Sequence, residues 1–294
     1  MNGFCAQKRT LAPEQDTSPL GVKVRQNSQA EGLRNASATD GDKPDALVLR
    51  RRSRVRTIVF SDVHGEPAVI RRVVEHSRYR PGVDRLVFSG DAIEVGRDSA
   101  GCLELLEALG VEYLVGNHEY AVWDGSPIET DILDLKVENE IAHAIDSGLW
   151  HLAASADGVL ITHAGLSEVF ASHFGEVTEG GIEDLVAALN GEFAAAVMRG
   201  PGGVTGGPFQ QNGPLWYRPT ASLPPVSGVI QVAGHTPPEI LDGDDVADTW
   251  ASRGLYLVDP FVRAWARRGG YRRPAPLRYA VIENGEVSVV EDVG

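Results

Sequence analysis

Cysteine is nearly absent from the 294 residues: Cys5 and Cys102 are the only two, and they lie far apart in the chain. Two such thiols support neither a disulfide framework nor a thiolate metal cluster, and they read as reduced cysteines. Long apolar runs are missing too. No window approaches the roughly 18 uncharged apolar residues of a membrane-spanning helix, and the opening MNGFCAQKRT lacks the apolar stretch of a secretory signal. Basic residues are in deficit, 27 Lys and Arg against 41 Asp and Glu, for a formal charge of -14. That balance argues against stable binding to nucleic acid or to an anionic membrane. No internal repeat is visible. What remains is the composition of an ordinary soluble globular protein, for which a cytoplasmic enzyme is the default expectation.

Residues 1–53 are rich in Gln, Asn, Ser, Ala, Asp, Gly and Pro with little apolar periodicity, and read as a disordered arm carrying no catalytic residue. The arm runs into Arg50, Arg51, Arg52, Arg54 and Arg56. This basic stretch reads as a solvated flank of the first strand, with contact to nucleic acid or an acidic partner as the alternative. Residues 54–294 form one domain, long enough to bury a large core.

The chemistry-bearing residues recur at strand ends. Val55 to Phe60 is a β-rich apolar run that delivers Asp62, His64 and Gly65 into a loop. Helix signals follow from Pro67. A second strand, Arg85 to Phe88, runs into Ser89-Gly90-Asp91. A helix over Ala100 to Leu109 stops at Gly110, and a third strand, Val111 to Val115, reaches Gly116-Asn117-His118-Glu119. This β-α-β-α-β order predicts neighbouring parallel strands whose carboxyl ends share one sheet edge. Further on, a helix is expected over Glu129 to Asp146, and a strand from Val159 to Thr162 leads to His163-Ala164-Gly165. Residues 166–214 read as an insertion with a helix over Ile182 to Met198 and a Gly/Pro-rich loop, followed by Leu215-Trp216-Tyr217-Arg218. The strand Val229 to Ala233 ends at Gly234-His235-Thr236. Strands near Leu255 to Val258, Tyr279 to Ile282 and Val287 to Val290 read as a closing meander.

The ordered set Asp-x-His-Gly, Gly-Asp, Gly-Asn-His-Glu, His-Ala-Gly, Gly-His-Thr resembles the calcineurin-like metallophosphoesterases. Within them it is similar to the phosphoprotein phosphatase branch, near bacterial protein phosphatases and symmetrical dinucleoside tetraphosphate hydrolases. The resemblance covers about residues 57 to 260. It implies an α/β fold, a four-layer α/β/β/α sandwich, with a site for two divalent ions between the sheets: manganese first, iron or zinc as alternatives.

On that resemblance Asp62 and His64 belong to the first metal, Asn117, His163 and His235 to the second, and Asp91 bridges the pair. His118 matches the leaving-group acid, with Glu94 where the family has an aspartate to orient it. Val95 stands where the family has a phosphate-binding arginine. Arg218 matches a second such arginine, Arg97 is a possible substitute, and Asn117 also borders the substrate. The function implied is hydrolysis of phosphomonoesters, phosphoprotein serine or threonine among them, by attack of metal-bound hydroxide. A dinucleoside polyphosphate or other nucleotide is the alternative substrate. The departures at Glu94 and Val95 keep open a metal-binding pseudophosphatase with a regulatory role. The partner is a phosphorylated protein or small molecule, without membrane, and the oligomeric state is open.

Overall fold

The computed structural model describes residues 55–129, 133–174, 181–202, 212–241, 246–269 and 273–292; the arm assigned to residues 1–53 and most of the Gly/Pro-rich loop lie outside them. Strand β1 (Thr57–Phe60) is buried along its whole length. Its side chains alternate between two apolar environments, which is why the sequence shows a continuous apolar run there. Ile58 and Phe60 pack with Leu86 and Phe88 of β2 (Arg85–Phe88) against α1 (Pro67–His76) and α2 (Ser99–Leu109). Val59 and Val87 face the opposite way, into a second core.

That second core lies between two sheets. One has the order β3-β2-β1-β8-β9, with β3 at Glu112–Tyr113, β8 at Leu277–Glu283 and β9 at Glu286–Asp292. The other has the order β4-β5-β6-β7, with β4 at Ala153–Ala156, β5 at Val159–Thr162, β6 at Gln231–Ala233 and β7 at Leu255–Leu257. Val59, Val87 and Ala280 from the first sheet meet Ala154, Ile161 and Val232 from the second. On the outer face of the second sheet, Leu185, Leu189 and Phe193 of α6 (Ile182–Val197) are buried, and the helix packs on β4 and β5. Helix, sheet, sheet and helix thus stack in the expected four layers.

Strands β1, β2 and β3 are parallel neighbours, as the alternation predicted, so their carboxyl ends share one edge. The other elements are α3 (Asn117–Trp123), α4 (Leu135–Asp146), α5 (Glu168–Ala171), α7 (Val246–Ser252) and α8 (Val262–Arg267).

Several expectations are corrected. The third strand is only Glu112–Tyr113: Leu114 N–H still donates to the Phe88 carbonyl, but beyond it Val115 N–H bonds the His151 carbonyl, while His151 N–H bonds the Tyr113 carbonyl from the other side. Helix α4 starts at Leu135 rather than Glu129, where the Asp134 side chain accepts the Lys136 N–H and caps it. The closing strands form no separate meander: β7 extends the second sheet in parallel, while β8 returns antiparallel beside β1 at the centre of the first. Arg56, the last residue of the basic run, is tied to the Ser77 carbonyl and pairs with Asp84 at 3.3 Å.

Candidate metal centre

The loops after β1 and β2 continue the parallel ladder beyond the strands. Ser89 donates to the Phe60 carbonyl, Asp62 to Gly90, His64 to Asp91 and Gly65 to Ala92, at 2.7–2.9 Å. This zipper fixes two turns in which Asp62, His64 and Asp91 all take left-handed backbone conformations, with φ of 53°, 42° and 65°. His235, after β6, does the same at 62°. Each such residue costs of order 1–2 kcal/mol, so the loops hold strain that only the surrounding packing sustains. Gly90 (φ 97°) is required at its turn, since a Cβ there would come within 2.5 Å of the Gly116 backbone.

A second device locks the Asp91 turn. Glu119, fully buried in the first turn of α3, accepts from Asp91 N (2.9 Å), Ala92 N (2.7 Å), Gly116 N (2.9 Å) and the Tyr113 hydroxyl (3.1 Å). The Gly116 contact is a capping-box return bond, so one carboxylate starts α3 and clamps the neighbouring loop. Sequence reasoning left Glu119 without a role. The glutamate two residues after Asn117 is the signal that was available.

These turns bring Asp62, His64, Asp91, Asn117, His118, His163 and His235 together, all nearly inaccessible to solvent. Asp91 Oδ2 lies 3.8 Å from His64 Nε2, 3.7 Å from His118 Nε2 and 3.5 Å from His163 Nε2. His64 Nε2 is also 3.8 Å from Asp62 Oδ1. Two clusters of metal-type donors result, His64-Asp91-His118 and Asp91-His163-His235, and Asp91 is common to both.

The hydrogen bonds show what the cluster demands. His163 Nδ1 sits 2.8 Å from the Ser89 carbonyl, which only accepts, so that nitrogen carries the proton. Burial pushes the His163 pKa down to about 3, so the ring is neutral and its Nε2 is a lone pair. Yet Nε2 points at the Asn117 Oδ1 (2.8 Å) and at Asp91 Oδ2, both acceptors. Lone pairs facing lone pairs across a buried site call for a cation between them. Burial also holds His64 and His235 well below the usual imidazole range, and raises Asp62 and Asp91 well above the usual carboxylate range. A dication reverses the carboxyl preference, because it restores the charged form that burial penalises. Oxygen and imidazole donors without thiolate fit manganese, iron or zinc.

The chain is a calcineurin-like phosphoesterase. That family's profile matches residues 55–267, well over half of the sequence. This phosphoesterase thus belongs to a family that depends on divalent metal ions. It is 38% identical over 66 residues to serine/threonine-protein phosphatase 1 of Salmonella typhimurium, which covers 22% of this chain and 31% of that protein. It is 26% identical over 159 residues to the symmetrical bis(5'-nucleosyl)-tetraphosphatase of Chromohalobacter salexigens, 47% of this chain and 58% of that one. The matched stretches thus span less than two thirds of either relative. Among solved structures, the cold-active protein-tyrosine phosphatase of a psychrophilic Shewanella superposes with a TM-score of 0.52 at 18% identity, over 81% of this chain and 80% of the other, and shows the shared fold.

Around the metal-type donors the phosphoesterase forms a cavity of about 380 Å³. Glu94 Oε2 is hydrogen-bonded to His118 Nδ1, so the longer side chain does reach the imidazole. Glu94 Oε1 accepts from the Glu129 backbone at 3.3 Å. Among the described residues His118 Nε2 has no hydrogen-bond partner, and His118 lines the cavity. Arg218 follows the fully buried Tyr217, whose hydroxyl donates to the Leu223 carbonyl, and lines the cavity as expected. Arg97 does not: it lines a separate depression with Gly96, Asp98 and Ser99.

Two further contributions escaped the sequence reading. Asp259, at the end of β7, is buried in the cavity wall, and burial lifts its pKa to about 7. Its position after a strand is the same signal that marked Asp62 and Asp91. Arg263, Arg267 and Arg268 also line the cavity.

Proposed function

We propose that this chain hydrolyses phosphomonoesters with two divalent ions, manganese in the first instance, acting in the cytoplasm. The observation that supports it best is the sharing of Asp91 between two buried donor clusters, with carboxylate, amide and imidazole acceptors turned toward one another. Asp62 and His64 would hold one ion, and Asn117, His163 and His235 the other. When bound, the ions supply charge for the phosphoryl oxygens and an activated water. The chain supplies the rest. Glu94 keeps His118 oriented with Nε2 toward the cavity, where its proton can pass to the leaving-group oxygen. Arg218, in the lining of the same cavity, neutralises a phosphoryl oxygen. Phosphorylated serine or threonine in a protein is one substrate consistent with the Salmonella relative. The arginines on α8 favour a second reading, a dinucleoside polyphosphate or other nucleotide.

The test is turnover of p-nitrophenyl phosphate by the full chain loaded with manganese, iron or zinc. Activity should vanish on chelation, return on metal addition and be lost in Asp91→Asn. A protein that neither binds these metals nor turns over the ester after loading would sink the proposal, and metal binding without turnover would favour the pseudophosphatase.

A further inference from the structure

Four arginines of this acidic protein line the cavity. Beyond Arg218, three arginines on and just after α8 form part of its lining. Arg263 and Arg267 are one turn apart on α8, and Arg268 follows directly. The helix is aimed by the turn before it, where Phe261 takes a left-handed conformation (φ 61°) and its N–H bonds Asp259 Oδ1 at 2.7 Å.

The charge of this wall is only partly balanced internally. Glu129 Oε1 takes hydrogen bonds from both Arg263 and Arg267, so one carboxylate is shared by two guanidiniums and one positive charge is left over. Arg268 forms no salt bridge among the described residues, and Arg218 forms none either, although the carboxylates of Asp259 and Asp62 act on it electrostatically. Arg278, by contrast, is fully engaged by Glu239, Glu291 and the Asp259 carbonyl, and plays no part. The Arg267 side chain remains 57% exposed, open to a ligand. Burial is the main cause that lowers His64 and Arg218, and the charge of Arg263 adds a smaller push in the same direction on both. Glu129 holds the two guanidiniums in place beforehand, which lowers the cost of ordering them on a ligand.

We infer that Arg263, Arg267 and Arg268 form a second anion subsite, which takes the phosphates next to the one being cleaved in a small molecule carrying an unbroken polyphosphate chain. This rests on the proposed two-metal hydrolysis at the same site and selects the second reading, a phosphoanhydride substrate, over the phosphomonoester. A cavity of about 380 Å³ is of small-ligand size, and Pro237, Ile240, Phe261 and Ala264 give it apolar flanks suited to an organic group such as a nucleoside. A contiguous phosphate chain holds its second charge within reach of the first. An acidic peptide places its charges on separate residues, which needs a longer groove.

The experiment compares kcat/KM of the manganese-loaded full chain on diadenosine tetraphosphate, ATP, inorganic triphosphate, an acidic phosphopeptide and p-nitrophenyl phosphate. The wild type is compared with Arg267→Ala/Arg268→Ala and Arg267→Lys/Arg268→Lys. The ratio of each polyphosphate to p-nitrophenyl phosphate should fall roughly 10- to 100-fold in the alanine pair, as expected for lost charge-assisted contacts, and recover in part in the lysine pair. The first two arms against the third tell whether the nucleoside contributes. An unchanged ratio overturns the subsite, and an equal loss on the phosphopeptide overturns the substrate class. If the wild type turns over nothing, the phosphoesterase proposal fails by itself. Calorimetric binding of inorganic triphosphate then decides the subsite: weaker binding in the alanine pair upholds it, equal binding removes it.

Discussion

Replacing Glu119 by glutamine tests whether the metal centre is built by its own loops or by the buried carboxylate behind them. The two side chains have nearly the same size, so packing is unchanged and only the hydrogen-bond inventory alters. Both carboxylate oxygens of Glu119 face donors: Asp91 N and Gly116 N on one, Ala92 N and the Tyr113 hydroxyl on the other. A glutamine can satisfy only one of these pairs. If its oxygen keeps Asp91 and Gly116, its amide N–H group meets the Ala92 N–H head on, while the Tyr113 hydroxyl can rotate to accept. One buried N–H is then orphaned, at about 1–3 kcal/mol, and the two surviving bonds lose charge assistance worth roughly 1 kcal/mol each. The sum is about 3–5 kcal/mol, which for a domain of this size lowers Tm by roughly 10 °C. The Asp91 turn should loosen as well, and manganese affinity should fall by about 10- to 100-fold, as when a group supporting a ligand is removed. Thermal melts of the metal-free protein and calorimetric manganese titration read the two effects separately. A variant that melts within about 2 °C of wild type and binds manganese equally well would refute the reasoning.

Asp259 has its folded pKa raised to about 7 by burial, so its contribution to stability is present at low pH and is lost as pH rises through 7. Asp259→Asn removes that loss, and in metal-free protein the variant should therefore gain more relative to wild type at pH 8.5 than at pH 5, as melts at both pH values would show; a difference of the opposite sign disproves the assignment. Val95 is a β-branched residue at φ 70°, so Val95→Asn should stabilise by about 1 kcal/mol, read as a rise in Tm of roughly 2–4 °C; a fall in Tm would mean that the valine's packing outweighs its strain. A Cβ on Gly234 would stand 2.2 Å from Asp62 Oδ2, so Gly234→Ala should push that carboxylate aside and reduce bound manganese before it reduces stability; unchanged metal content by elemental analysis would contradict the geometry.

The strands and the polar residues at their ends were legible because strands buried on both faces read as continuous apolar runs, and the chain places its metal-type donors immediately after them. Strand β4, Ala-Ala-Ser-Ala, was not legible, since small side chains carry little apolar signal and its burial is set by α6 and β5. Helix α3 was hidden because it opens on Asn117-His118-Glu119, where polar residues serve the site rather than mark a loop. The place of β8 beside β1 is a pairing across more than 200 residues, which no local pattern encodes. Asp259 and the α8 arginines depend on where the chain turns after β7, and that turn is made by a phenylalanine in a conformation its residue type disfavours.

Glu94 and Val95, where the sequence resemblance leads one to expect an aspartate and an arginine, take on a different meaning once the α8 wall is placed. Both residues have left-handed backbone conformations, with φ of 64° and 70°, so this turn is shaped differently from a plain extended loop. Glu94 uses one oxygen to hold His118 and the other to accept the Glu129 backbone, and the Glu129 side chain in turn gathers Arg263 and Arg267. The segment that orients the proposed acid is therefore the segment that arranges the arginines. A positive charge absent at Val95 is supplied from across the cavity, by a helix that the same glutamate loop anchors. On the proposed reading the departure relocates phosphate recognition rather than impairing it. Glu129→Gln separates the two ideas: with the backbone bond to Glu94 retained, it should alter the preference for polyphosphates over p-nitrophenyl phosphate more than it alters turnover of the simple ester. A uniform loss on both would instead make Glu129 a support for His118 alone.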